Sequence, residues 1–177
     1  ASAAVLMTSA DVPYVLAPVM VAKGGTALSC SSALATLRDR LVPLATVLTP
    51  NLPEAEALLG RPIVRREDMQ DAARDLLALG SRAVLLKGGH MQGDELVDVL
   101  VEQGGRMETF TSARIATRHT HGTGCTLASA IATGLGQGMT LRDAVVRART
   151  YVHNAIAAAP GYGAGSGPLD HAAGVRT

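Results

Sequence analysis

The four aliphatic residues Ala83-Val-Leu-Leu86 stand between an amphipathic segment and a glycine pair, and they constrain the fold more than any other stretch of the chain. An unbroken apolar run of this length has no solvent face, so it predicts a strand covered on both sides, as in sheets layered with helices. Upstream, Met69, Ala72, Ala73, Leu76 and Leu77 recur at helical spacing between positions 67 and 79, with Gly80 as the stop. Downstream, residues 96–101 and 107–110 flank Gly104-Gly105 and predict a hairpin.

The rest of the chain repeats this alternation. Tyr14 to Leu16, followed by Pro18 and Val19-Met20-Val21, reads as a buried strand running into a loop at Gly24-Gly25. Leu34, Leu37, Arg38 and Leu41 mark one helical face closed by Pro43, and Thr46-Val-Leu-Thr49 is a second short strand ended by Pro50. Asn51-Leu-Pro-Glu54 opens a helix that Gly60 stops. A small-residue helix follows from Thr126 to about Leu135, and Thr140 caps a last long helix with Asp143 at capping-box distance. This order predicts one α/β domain over residues 1–177, a mostly parallel sheet between two helical layers with a short antiparallel excursion.

Charge narrows the possible partners. With 16 basic and 15 acidic side chains and no Lys/Arg cluster, nothing favours a nucleic acid or a membrane surface, and a small molecule is the expected ligand. No stretch approaches the roughly 20 apolar residues of a membrane span, and positions 1–10 lack the basic and long apolar regions of a secretory signal. Two isolated cysteines, Cys30 and Cys125, make no disulfide framework and fit a cytoplasmic protein.

Three elements carry chemistry. Gly122-Thr-Gly-Cys125 lies where a loop becomes a helix, and the free N–H groups of a first helical turn stabilise an anion such as a phosphoryl group in transfer. The same letters also describe a tight loop with a packed cysteine. Lys87-Gly88-Gly89-His90 follows the buried strand, at the carboxyl edge where open α/β sheets bind ligands, although a lysine at a strand end also serves as a snorkelling side chain. Asn51 and Glu54 offer an amide and a carboxylate suited to hydrated Mg²⁺, or equally to helix capping. His90 and His121 receive no role.

Together, Asn51-Leu-Pro-Glu54, Val84-Leu-Leu-Lys-Gly-Gly-His90 and Thr120-His-Gly-Thr-Gly-Cys125 resemble the phosphomethylpyrimidine kinases. Ala17-Pro-Val-Met-Val-Ala-Lys23 and Gly161-Tyr-Gly-Ala-Gly-Ser-Gly-Pro168 with His171 extend the likeness over almost the whole chain. Ribokinase relatives usually carry Asp at position 125, and Cys there points to the pyrimidine branch. The resemblance implies a ribokinase-like three-layer α/β/α fold and phosphorylation of hydroxymethylpyrimidine and its monophosphate with ATP and Mg²⁺, in thiamine biosynthesis. Carried over by position, Cys125 is the catalytic residue, with the backbone of Gly122 and Gly124 in the anion hole. Lys87 and Thr123 hold phosphates, Asn51 and Glu54 serve the Mg²⁺–phosphate cluster, and Val19 borders the pyrimidine. The chain departs from the family in two ways. It corresponds to the C-terminal two-thirds of the fold, without the first strands, which predicts an uncovered sheet edge and a homodimer. Ala17 stands where the family has Asp, so a catalytically impaired nucleotide- or pyrimidine-binding module is one alternative reading. A pyridoxal kinase-like enzyme is the other.

Overall fold

The computed structural model describes residues 12–20 and 31–173, which fall into two compact units, Ala1–Arg114 and Ile115–Thr177. Among the described residues the first unit holds a five-stranded sheet, β1 (Val15–Leu16), β2 (Val47–Leu48), β3 (Ala83–Lys87), β4 (Glu95–Glu102) and β5 (Met107–Ala113), arranged in chain order. β1, β2 and β3 run parallel, whereas β4 and β5 are antiparallel to their neighbours, so the sheet is mixed. The chain thus has the expected α/β architecture, and its antiparallel part is the hairpin about Gly104-Gly105. Both glycines take positive φ there (99° and 87°), which a β-carbon disfavours.

β3 behaves as its composition requires. Val84 and Leu86 enter a cluster with Leu48, Leu58, Met69 and Leu76, while Leu85 on the opposite face is also wholly buried. The cluster is closed by α2 (Leu52–Leu59) and α3 (Asp68–Leu77), whose buried residues Met69, Ala72, Ala73 and Leu76 are the periodic positions of the sequence. Each large side chain buried there contributes about 1.5–3 kcal/mol.

Prolines shift two boundaries. β1 stops at Leu16 because Pro18 has no N–H to give a ladder; the N–H of Val19 turns back to the Ala17 carbonyl (2.9 Å), and Val19 is 48 % exposed rather than part of a buried strand. The expected continuation through Val21 to Gly24-Gly25 lies outside the described residues, as does Cys30. α1 (Ser31–Thr36) does not end simply at Pro43. It widens into a π-helical turn (Leu37–Leu41) and then tightens into a 3₁₀ turn (Val42–Leu44) that admits the proline near its start.

The second unit holds two packed helices, α4 (Thr123–Gly136) and α5 (Leu141–Ala157), followed by a glycine-rich segment. α4 begins three residues before the expected Thr126, directly after Gly122. Its close packing on α5 depends on Gly134, where an added Cβ would lie 2.8 Å from the Ala144 Cβ. At the start of α5 the Thr140 side chain accepts the Asp143 N–H (3.2 Å) and donates to the Asp143 carboxylate (2.8 Å), so this cap is one-sided rather than a reciprocal box. No helix among the described residues is long and apolar enough to cross a membrane.

Candidate functional site

In the first unit the fold brings Asn51, Glu54 and Lys87 together. The parallel alignment of β2 with β3 sets Asn51 opposite Lys87, and the Lys87 N–H donates to the Pro50 carbonyl at 2.9 Å. The capping reading is realised in full. Asn51 Oδ1 accepts from the Glu54 N–H (2.9 Å), and the Glu54 carboxylate accepts from the Asn51 N–H (2.8 Å). Glu54 is nonetheless unusual for a capping carboxylate, being only 9 % exposed. Burial pushes its pKa above the ordinary carboxylate value, opposed by the Asn51 hydrogen bond and the Lys87 charge. These residues suit a hydrated magnesium ion, which needs one or two carboxylates and takes its other ligands from water and phosphate. No cluster of three or more His, Cys, Asp or Glu side chains among the described residues forms an all-protein metal cage.

Beyond Lys87 the chain enters a tight loop. Gly88 passes so close to β4 that a Cβ would lie 2.1 Å from the Val97 carbonyl oxygen, and its N–H donates to Asp98 Oδ1 at 3.1 Å. Arg114, immediately after β5, closes the same loop with hydrogen bonds to the carbonyls of Gly89 (3.0 Å), Met91 (2.5 Å) and Gly93 (2.8 Å). His90 is held below its usual pKa, chiefly by desolvation and then by the charges of Lys87 and Arg114. Sequence reasoning missed Asp98 and Arg114. Their only local signal is polarity within or beside an alternating strand, which also describes any solvent-facing side chain.

In the second unit Gly122, Thr123, Gly124 and Cys125 form the first turn of α4. Gly122 caps the helix with φ +84° and ψ 0°, a left-handed conformation that favours glycine. The Thr123 hydroxyl donates to the Thr120 carbonyl at 2.7 Å, and the first intrahelical bond runs from the Thr126 N–H to the Gly122 carbonyl at 2.9 Å. The N–H groups of Gly124 and Cys125 meet no protein acceptor among the described residues, and the Cys125 thiol is free and exposed. A groove of about 670 Å³ opens beside it, lined by Thr126, Ser129, Thr133, Arg147, Tyr151 and His171 among others.

The loop before the helix is tied to the glycine-rich segment. The His121 N–H donates to the Gly167 carbonyl (3.2 Å), and the Arg118 guanidinium reaches the carbonyls of Gly163 (3.3 Å) and Ala164 (3.4 Å). Gly167 is required by crowding, since a Cβ there would lie 2.2 Å from His119 Nδ1. Arg118 and His119 were not singled out from the sequence. Val19, expected beside a substrate, is an exposed residue just after β1.

Comparison with known proteins adds the following. The sequence model of the phosphomethylpyrimidine kinase family matches residues 1–170. The chain is 52 % identical over 157 residues to the thiamine biosynthesis bifunctional protein ThiED of Geobacter sulfurreducens, covering 89 % of this chain and 32 % of the relative. It is 48 % identical over 166 residues to the hydroxymethylpyrimidine/phosphomethylpyrimidine kinase of Streptomyces coelicolor, covering 94 % of this chain and 61 % of that protein. Among solved structures, the pyridoxal kinase of Staphylococcus aureus in complex with AMP-PCP and pyridoxal superposes with a TM-score of 0.88 at 31 % identity, over 99 % of this chain and 63 % of the other. The chain therefore spans less than two-thirds of the length of these relatives, and its fold is the ribokinase-like fold they share.

Proposed function

Because this chain belongs to the phosphomethylpyrimidine kinase family, we propose that the protein transfers the γ-phosphoryl group of ATP to the hydroxymethyl group of 4-amino-5-hydroxymethyl-2-methylpyrimidine, and then a second phosphoryl group to its monophosphate, in thiamine biosynthesis. The observation that carries this reading is the start of α4, where two backbone N–H groups without protein acceptors among the described residues adjoin an exposed thiol. Donors preorganised at a helix N-terminus stabilise charge that develops on a phosphoryl group in flight.

The roles are those that the resemblance to the family implies by position. The substrate hydroxyl oxygen attacks the γ-phosphorus, the bond to the bridging oxygen breaks, ADP leaves, and the hydroxyl proton passes to Cys125 Sγ, which takes part in the step as a thiolate. The Gly122–Cys125 backbone holds the transferring phosphoryl oxygens. Lys87 and Thr123 hold phosphate oxygens, and Val19 borders the pyrimidine ring. Asn51 and Glu54 would hold Mg²⁺, which would neutralise nucleotide charge when bound. The protein acts in the cytoplasm as a homodimer, a state that light scattering on the eluted protein tests directly.

The test is an ATP-dependent phosphorylation assay on hydroxymethylpyrimidine and on pyridoxal in parallel. The expected result is product from the pyrimidine and its monophosphate, abolished in Cys125→Ala. Faster turnover of pyridoxal would assign the protein to the ring that the structurally similar kinases bind. Nucleotide binding without transfer to either ring, with turnover restored by Ala17→Asp, would identify an impaired module.

A further inference from the structure

Arg114 is the residue whose contacts exceed any structural need of its own strand. It leaves β5 with its N–H bonded to the Asp94 carbonyl at 2.7 Å, which already completes the end of the β4–β5 ladder. Its guanidinium then reaches back more than twenty positions to Gly89, Met91 and Gly93, with Nη1, Nη2 and Nε each taking one carbonyl. The planar five-donor fork of arginine reaches three carbonyls through three separate nitrogens, whereas a lysine ammonium gathers its three donors on one atom.

These bonds matter because of where the loop starts. Lys87 is the last residue of β3, and Gly88 is pinned by Asp98 and by the nearness of Val97, so the backbone leaves Lys87 in one direction. Past that point the chain runs through Gly89 and Gly93, and glycines supply little conformational restraint of their own. Arg114 replaces that restraint. It also turns three carbonyl oxygens, each repulsive to an anion, onto a cation.

We infer that Arg114 is a positioning residue for the nucleotide, holding the Lys87–Gly93 loop in a shape that accepts phosphate. This rests on the kinase reading for its ligand, and on the three hydrogen bonds alone for the clamp.

The clamp and its purpose are tested separately. In Arg114→Met and Arg114→Lys, amide hydrogen exchange across residues 88–94 should accelerate about tenfold or more, while amides of α3 and β3 keep their protection. Guanidinium added below denaturing concentration should restore protection to Arg114→Ala, and methylammonium should not. The KM for MgATP should rise about tenfold in the Met and Lys variants, with the KM for the pyrimidine within about twofold of the parent. Where neither ring is phosphorylated, the Kd for MgATP by calorimetry takes the place of KM, so failure of the kinase reading leaves this test intact. Unchanged exchange in the loop would overturn the clamp. Faster exchange with unaltered MgATP affinity, or equal losses toward both substrates, would overturn its role in positioning the nucleotide.

Discussion

Replacing Gly88 by alanine adds one methyl group where the first unit has no room. The new Cβ would stand 2.1 Å from the Val97 carbonyl oxygen, with Met69 Cε and Sδ at 3.1 and 3.3 Å. A comfortable separation between heavy atoms is roughly 3.5 Å, so the β3 end and β4 must part by about 1.4 Å. Met69 can yield by changing rotamer, but a strand carbonyl cannot. Overpacking of this kind costs about 1–3 kcal/mol, and the shift also loosens the 3.1 Å hydrogen bond from the Gly88 N–H to the Asp98 carboxylate. Hydrogen bonds to charged groups contribute about 1.5–3 kcal/mol, so the combined loss is on the order of 3–5 kcal/mol. Gly89→Ala is the matched control. Nothing lies within 4 Å of its added Cβ, and its φ is not in the left-handed region, so the change should be within about 0.5 kcal/mol of neutral. The chain has no tryptophan, so urea unfolding is best followed by far-ultraviolet circular dichroism. With a slope of about 2 kcal/mol per molar, Gly88→Ala should lower the midpoint by about 2 M and Gly89→Ala should leave it in place. Equal midpoints for the two variants would refute the crowding at Gly88.

Three further outcomes follow from single contacts. Gly122→Ala should destabilise by about 1–2 kcal/mol, because open space surrounds its Cβ and only the left-handed backbone opposes it; Gly122→Asn should lose less, and an Ala variant as stable as the parent would count against this helix start. Gly134→Ala should lower stability by about 1–2 kcal/mol despite alanine's better helix propensity, since its Cβ meets the Ala144 Cβ at 2.8 Å; a rise in thermal midpoint would show that the pair of helices has slack. Glu54→Gln keeps an oxygen for the Asn51 N–H and removes a buried charge. Because the folded pKa of Glu54 is raised, its contribution to stability is present below the ordinary carboxylate value and is lost as pH rises through the folded pKa, so the variant should gain on the parent from acid to neutral pH. Paired denaturation curves that keep a constant separation across that range would exclude a raised pKa.

The sequence by itself determined the local elements. The helix of Met69 and Leu76, the cap at Asn51, the stop at Gly60 and the buried run at Val84 were all legible, because helical period, capping and apolar continuity are set by residues a few positions apart. Gly122-Thr-Gly-Cys125 was legible as a helix start for the same reason, although its exact first residue was not. Tertiary structure alone decided that Asn51 faces Lys87, that Gly88 grazes Val97 and that Arg114 gathers three carbonyls of a loop. Each of these joins residues separated by about ten or more positions, and such pairs come into reach only when strand register is chosen. Register follows from the summed burial of a whole sheet face rather than from any short motif, which is why no local pattern marks a polar residue such as Arg114.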